Sequence, residues 1–330
     1  MPHRRLVALF AALFLSIGVA AFSQQPDALY RYDNRTPAYP AGKGPAVCID
    51  EGHSNMHTLG GTYAPLATLL RGDGYEVQAS SAFTKEVLGG CRVLIIANAV
   101  AKANVKNRAL PHPPAFEQDE IETLATWITD GGSVLLIADH APFPGAVKDL
   151  GLLLGVEMLD AFAGSSQKAG VITVFGTADV SDAAWKQYGE ERKLPATLFT
   201  EVRSNPGSLG AHSILRGRSE RERVPWVVTF TGHAFHASNR VQPLLVFGPR
   251  AVAVLDRPDA AVFPIGGWLQ AGAVRLGKGR AVVLGEATTC TAQVGGPQRI
   301  TTGMNTPIAP HNARFCLNVM HWLTGLLDPP

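Results

Sequence analysis

An α/β fold built on a parallel sheet is predicted by three features of this sequence. Short, almost wholly apolar runs (Ala46–Asp50, Arg92–Ala97, Ser133–Ala138) have the composition of strands covered on both faces. Amphipathic stretches with helical spacing separate them, as in successive βαβ units. Glycine clusters such as Gly72-Asp73-Gly74 and Asp130-Gly131-Gly132 stop each helix before the next strand begins. The fold class is therefore α/β and flavodoxin-like, with strand order 2-1-3-4-5 and a β-rich C-terminal extension.

Taken in order, Ala46–Asp50 is the first buried strand, and Thr62–Gly72 follows with Tyr63, Leu66, Leu69 and Leu70 on one helical face. Tyr75–Val77 begins the second strand and Arg92–Ala97 is the third, with Asn98 just past its end. A polar loop with Pro111, Pro113 and Pro114 precedes a helix over Phe116–Thr129, which places Ile121, Leu124, Trp127 and Ile128 inward. Ser133–Ala138 is the fourth strand, and a helix packs after it from about Ala146 to Leu154. Further strands are expected at Val171–Phe175, Trp226–Phe230, Leu244–Phe247, Ala251–Leu255, Leu269–Leu276 and Ala281–Leu284. Gly277-Lys278-Gly279 joins the last two as a hairpin, so antiparallel pairing enters there. A helix over Asn312–Leu326 closes the chain with Phe315, Val319, Trp322 and Leu323 on one face.

The first 23 residues read as a cleavable signal peptide. His3, Arg4 and Arg5 give a positive start, Leu6–Phe22 is uninterrupted and apolar, and Ala21-Phe22-Ser23 supplies small residues for cleavage. The expected location is periplasmic or secreted, with residues 24–44 an extended lead-in. Residues 45–330 form one domain carrying a β-rich insertion around 165–275. The whole chain has 29 Lys+Arg against 27 Asp+Glu. Without Arg4 and Arg5 the signs balance, which excludes the basic footprint of a nucleic-acid binder. No second run is long enough to span a membrane, so no membrane contact is expected after cleavage. Cys48, Cys91, Cys290 and Cys316 are scattered, with no CxxC pair. They are expected as buried free thiols, with a Cys290–Cys316 bridge as the alternative that export permits.

In an open parallel sheet, ligands sit at the carboxyl ends of the strands, so polar residues just beyond those ends carry most weight. The first strand exits into Asp50-Glu51-Gly52-His53-Ser54-Asn55-Met56-His57. If that segment is helical, His53 and His57 share a face and could hold a metal ion. The fourth strand exits into Asp139-His140, which could face the same crevice. The metal-ligand set is then His53, His57 and His140, suited to a divalent ion such as zinc. Glu51, Asp139 and Glu286, the last at the end of the final strand, are the candidate catalytic acids and bases. Asn55, Thr231 (in Thr231-Gly232-His233, after an apolar strand), Gln270, Gln293 and Asn305 are candidate substrate-binding residues. There is no GxSxG elbow, no P-loop and no GxGxxG, so no nucleotide cofactor is expected.

These motifs together resemble an uncharacterised family of exported bacterial proteins with a class I glutamine-amidotransferase-like fold. The resemblance runs from about Pro45 to Leu326. It rests on Asp50–His57, Asp139-His140-Ala141-Pro142-Phe143-Pro144-Gly145, Thr229–Gly232, Gly266–Gln270, Gly285-Glu286-Ala287, Gly303-Met304-Asn305 and Asn312–Gly325. The family brings no activity with it, but the wider fold implies a test. A true amidotransferase has a nucleophilic cysteine in the turn after the strand matching Ser133–Ala138. Here that turn holds Asp139 and His140, so thiol-dependent glutamine hydrolysis is not expected. The expected function is a metal-assisted hydrolase of a small polar extracytoplasmic substrate. Its rival is a non-catalytic module binding a small molecule, a carbohydrate or a protein.

Overall fold

The computed structural model of the chain describes residues 24–164, 172–255 and 261–328. The signal-peptide segment 1–23 and Val171 of the expected Val171–Phe175 strand lie outside the described residues. After β1 (Gln25–Pro26), the first half alternates: β2 (Ala46–Asp50), α1 (Ala64–Gly72), β3 (Glu76–Ser80), α2 (Lys85–Gly89), β4 (Val93–Ala97), α3 (Gln118–Thr129), β5 (Ser133–Ile137). Two short helices, α4 (Phe143–Ala146) and α5 (Lys148–Leu153), lead to β6 (Val156–Met158), β7 (Ala161–Gly164) and β8 (Thr173–Gly176). Then come α6 (Asp182–Arg192), α7 (Ala196–Ser204), β9 (Ser208–Leu209), α8 (Ser213–Arg216), β10 (Trp226–Thr229) and β11 (Phe235–Ala237). The remainder is β12 (Gln242–Val246), β13 (Val252–Leu255), β14 (Val262–Pro264), β15 (Leu269–Leu276), β16 (Gly279–Leu284), β17 (Ala292–Gly295), β18 (Ile300–Gly303) and α9 (Asn312–Leu323).

The main sheet runs β3-β2-β4-β5-β16-β15-β11-β6. Pairing is parallel from β3 through β16 and antiparallel beyond it. The chain therefore reaches the order 2-1-3-4-5 read from the sequence, with β16 as the fifth parallel strand. Alternate residues of each strand enter opposite cores, as a period of two requires. Val47, Ile95, Leu135 and Val282 face a core that contains Leu66, Leu70, Phe315 and Leu323 from α1 and α9. Leu94, Val134, Leu136 and Val283 face the other side, against Ile121, Leu124 and Ile128 of α3. Leu124 and Ile128 are wholly buried, and each contributes on the order of 1.5–3 kcal/mol of burial.

The β15–β16 hairpin forms as expected, with Leu276 opposite Gly279 and Gly277 at φ +55°, a conformation that favours glycine. Two expectations are corrected. The cysteines are not free thiols: Cys48 is bridged to Cys91 and Cys290 to Cys316. The first bridge joins β2 to the entry of β4, and the second joins the 288–290 turn to α9. Closing such loops stabilises by about 3–4 kcal/mol each in the chain-entropy account. The stretch before β9 also holds the helices α6 and α7, where no helix was read. Only Trp185, Tyr188 and Gly189 of α6 are buried, too few to show as a helical stripe. No helix among the described residues is long and apolar enough to cross a membrane.

Candidate functional site

β5 and β16 are parallel neighbours, with Ile137 paired to Leu284. Asp139 and Glu286 each lie two residues past those paired ends, so the ladder delivers both carboxyl groups to the same edge of the sheet. Glu286 is fully buried and Asp139 is 6% exposed. The Glu286 carboxylate accepts N–H bonds from Thr288 and Thr289, both 2.7 Å, and the Thr289 hydroxyl at 2.5 Å. Asp139 Oδ1 accepts the His140 N–H at 2.9 Å, and its own N–H donates to Asn98 Oδ1 at 2.8 Å. Burial pushes the Asp139 carboxyl up to about 6, against the backbone N–H groups of His140 and Ala287, the Asn98 side chain and the charge of Arg108. Burial, then the charge of Asp139, pushes Glu286 up to about 8, against its hydrogen bonds to Thr289 and Thr288.

His233 closes the third side. Its N–H donates to Gly285 O at 2.8 Å, and its ring Nδ1 lies 3.0 Å from Ala138 O and 3.1 Å from Asp139 O. Both partners are carbonyl acceptors, so Nδ1 carries the proton and Nε2 presents a lone pair. Nε2 is buried without a hydrogen-bond partner, as is Thr231 Oγ1. Burial lowers the His233 pKa to about 4, which keeps the ring neutral. Gly232, at φ +112°, makes this approach possible, because a Cβ there would meet Gly285 O at 2.1 Å and Glu286 Cβ at 2.9 Å. Gln270 accepts from Thr229 Oγ1 at 2.8 Å and donates to Thr231 O at 2.9 Å, bracing the same loop. Tyr63 donates to Ala287 O at 3.2 Å from the opposite side.

The three histidines proposed as metal ligands do not converge. Residues 51–63 form a loop with turns, so His53 and His57 share no helical face. His53 Nδ1 lies 2.9 Å from both oxygens of buried Asp50, and Nε2 lies 3.0 Å from Glu120 Oε1. Only a doubly protonated ring donates to both acids. Burial opposes that charge, but the hydrogen bonds and charges of Asp50 and Glu120 outweigh it and raise the His53 pKa. His57 Nδ1 is held by Thr62 Oγ1 at 2.5 Å and its ring stacks on Tyr63. His140 stacks on Phe162, with Nδ1 2.8 Å from Ala141 O. No group of three or more His, Cys, Asp or Glu is placed to hold a metal among the described residues. With both His53 nitrogens engaged by carboxylates, this donor set does not fit a metal centre.

The other candidates separate. Glu51 is exposed and accepts Leu59 N–H at 2.7 Å, which is a loop-fastening role. Asn55 donates to Asp50 at 2.9 Å. Gln293 lies in β17 of the β1-β17-β18 sheet, and Asn305, in the turn after β18, donates to Gln293 O and to Asp27 of the lead-in, both 3.0 Å. The sequence singled out Thr231-Gly232-His233 but chose Thr231, whereas His233 makes the contact with Asp139. Glu120 went unread because it lies in the first turn of a helix, where acids are common caps. It does form a capping box, accepting Glu117 N–H at 2.9 Å. It also lines a cleft of about 410 Å³ with Phe83, Thr84, Lys85, Glu86 and Asp119.

No family model matches the chain, and no curated protein matches it. Solved structures resemble it in fold. The N-terminal domain of mmIFT52 superposes with a TM-score of 0.53 at 14% identity, covering 85% of this chain and 97% of that one. A ThuA-like protein from Bacteroides uniformis gives 0.43 at 12% identity, over 90% and 95% of the two chains. The cytoplasmic protein STM3548 from Salmonella typhimurium gives 0.46 at 11% identity, over 84% and 98%. At 14% identity the likeness to the mmIFT52 domain shows a shared fold and nothing of the chemistry.

Proposed function

We propose that the chain is a hydrolase of a small polar substrate, working through the Asp139–Glu286 carboxyl pair without a metal ion. The observation that carries this reading is the pair itself: two buried acids at the ends of adjacent parallel strands, held in environments that separate their titrations. Asp139 is ionised above about 6 and serves as general base, taking a proton from the attacking water. Glu286 keeps its proton up to about 8 and serves as general acid, delivering it to the leaving group. His233 Nε2 is an additional acceptor for the water or a substrate hydroxyl. The strand-end location is where open α/β sheets bind their ligands. The finer assignments, a class I glutamine-amidotransferase-like core with a β-rich extension and export from the cytoplasm, belong to the same proposal. The two disulfides support export.

The test is hydrolysis of 4-nitrophenyl esters, phosphates and glycosides by the purified protein and by its Asp139→Asn and Glu286→Gln variants. Expected is activity on one class, bell-shaped in pH with a maximum near 7, falling about 100-fold or more in Asp139→Asn. No hydrolysis above background on any class, or activity unchanged in both variants, overturns the reading.

One observation favours the non-catalytic alternative. The 410 Å³ cleft opens on Glu120, backed by His53 and Asp50, and not on the acid pair. In that reading a hydroxyl-rich ligand such as a carbohydrate binds there, and Glu120→Gln weakens it while Asp139→Asn does not.

A further inference from the structure

We infer that the β4–α3 connection is a preformed anion-binding lip over the acid pair, and that its ligand is a small molecule joining a carboxylate or phosphate to an apolar body. This deepens the hydrolase proposal and rests on it for the identity of the bound molecule as substrate. Residues 98–116 contain Lys102, Lys106 and Arg108 and no acid; the first is Glu117, at the cap of α3. All three cations are exposed. None of them forms an ion pair among the described residues, while arginines elsewhere do so with Asp27, Asp182, Glu222 and Asp328. The Arg108 guanidinium instead lies 3.9 Å from Met56 Sδ and 5.6 Å from the Phe143 ring centroid. Neither partner neutralises it.

Those contacts fix where the charge sits. Met56 follows β2 and Phe143 follows Asp139 by four residues, so Arg108 bridges the loops leaving two parallel strands. The contact with Phe143 holds it against the loop that carries Asp139 out of β5, and its charge favours the ionised Asp139 carboxyl. The loop is braced from within. Buried Asn104 donates to the carbonyls of Asn107, Ala109 and Pro111 at 3.0–3.3 Å. His112 ties Arg108 O, 2.9 Å from Nε2, to Asp160, 2.5 Å from Nδ1. A guanidinium on a braced loop is prepared for a planar or tetrahedral oxyanion.

The same lip has an apolar side that fits the body of such a ligand. Met56, Val105 and Leu110 are 48%, 51% and 55% exposed; Val105 and Leu110 share the loop with the cations and Met56 touches Arg108. The charge balance of the rest of the chain argues for a small ligand over a polyanion.

The experiment measures binding by calorimetry and amide chemical shifts at low ionic strength, using phenylphosphonate, phenylacetate and the neutral 2-phenylethanol. Expected is that one or both anions bind at least 10-fold tighter than the alcohol, the stronger of them naming the group. Arg108→Ala should weaken the anions 10-fold or more and leave the alcohol unchanged. Asp139→Asn should keep or tighten anion binding while abolishing hydrolysis, so failure of the catalytic reading and failure of the lip are distinguishable. Anions that bind no better than the alcohol, or binding indifferent to Arg108→Ala, overturn the inference. So does salt-sensitive binding of a duplex oligonucleotide that Arg108→Ala abolishes, since the ligand would then be a polyanion.

Discussion

Replacing Glu286 by glutamine keeps the shape of the side chain and removes its proton. In the folded protein this carboxyl is raised from 4.5 to about 8, so folding takes up a proton between those limits. The contribution is fully present below the unfolded value and is lost as pH rises through the folded one. Each pH unit in that window costs about 1.4 kcal/mol of stability for one group. Asp139, raised from 3.8 to about 6, has lost its share by pH 6.5. Between pH 6.5 and 8 the wild-type chain should therefore lose about 2 kcal/mol through Glu286. His53 acts in the same direction, because its pKa is also raised, and the variant subtracts it out. Glutamine has only one acceptor oxygen for the N–H groups of Thr288 and Thr289, which adds a pH-independent loss of about 1–3 kcal/mol. The assay is urea unfolding at fixed ionic strength, read as midpoints with a shared slope. The lowered histidines His57, His212 and His233 act in the opposite direction, so the wild-type profile alone decides nothing; a variant that keeps the wild-type slope from pH 6.5 to 8 refutes the reasoning.

The backbone at the site gives a paired test. Gly232→Ala places a Cβ 2.1 Å from Gly285 O at a positive φ and should destabilise by more than 2 kcal/mol, while Gly72→Ala, with open space around it, should be neutral or stabilising by thermal melt. Thiol labelling in denaturant should find no reactive cysteine before reduction and four afterwards. Loss of the Cys48–Cys91 bridge alone, in a double serine variant, should cost about 3–4 kcal/mol. Histidine titration by NMR should show His53 holding its charge above the ordinary range and His57 and His233 neutral down to about 4. The His233 proton should be on Nδ1, and a proton found on Nε2 removes that nitrogen as an acceptor.

The parallel half of the fold was legible because its inner strands are buried on both faces, and a strand such as Val93–Ala97 then has no polar letter. Asp139 and Glu286 were legible for the same reason, as the first acids beyond such runs. The His53–His57 pair misled because spacing alone suggested a helix. The backbone between them turns the other way: Ser54 sits at φ +51°, a left-handed conformation that no right-handed helix through 53–57 contains. The Cys290–Cys316 bridge was named as an alternative and is present, whereas Cys48–Cys91 was hidden because those partners meet only when β2 and β4 pair. His233 was within view, but nothing local distinguishes it from Thr231. Its role depends on the carbonyls of Ala138 and Asp139, supplied by a distant strand.

The β5–β16 ladder has an evolutionary meaning. The chain between these strands, from His140 to Lys278, builds the antiparallel flank β15-β11-β6 of the same sheet and the smaller sheets and helices beside it. The separation of the two carboxyl groups is nonetheless set by hydrogen bonds between two short strands, from Ser133 opposite Arg280 to Ile137 opposite Leu284. The parts of that connection outside the main sheet, such as α6 and α7, can be lengthened, trimmed or exchanged between descendants without moving the acids relative to each other. What such edits change is the wall around them, and so the molecule that fits.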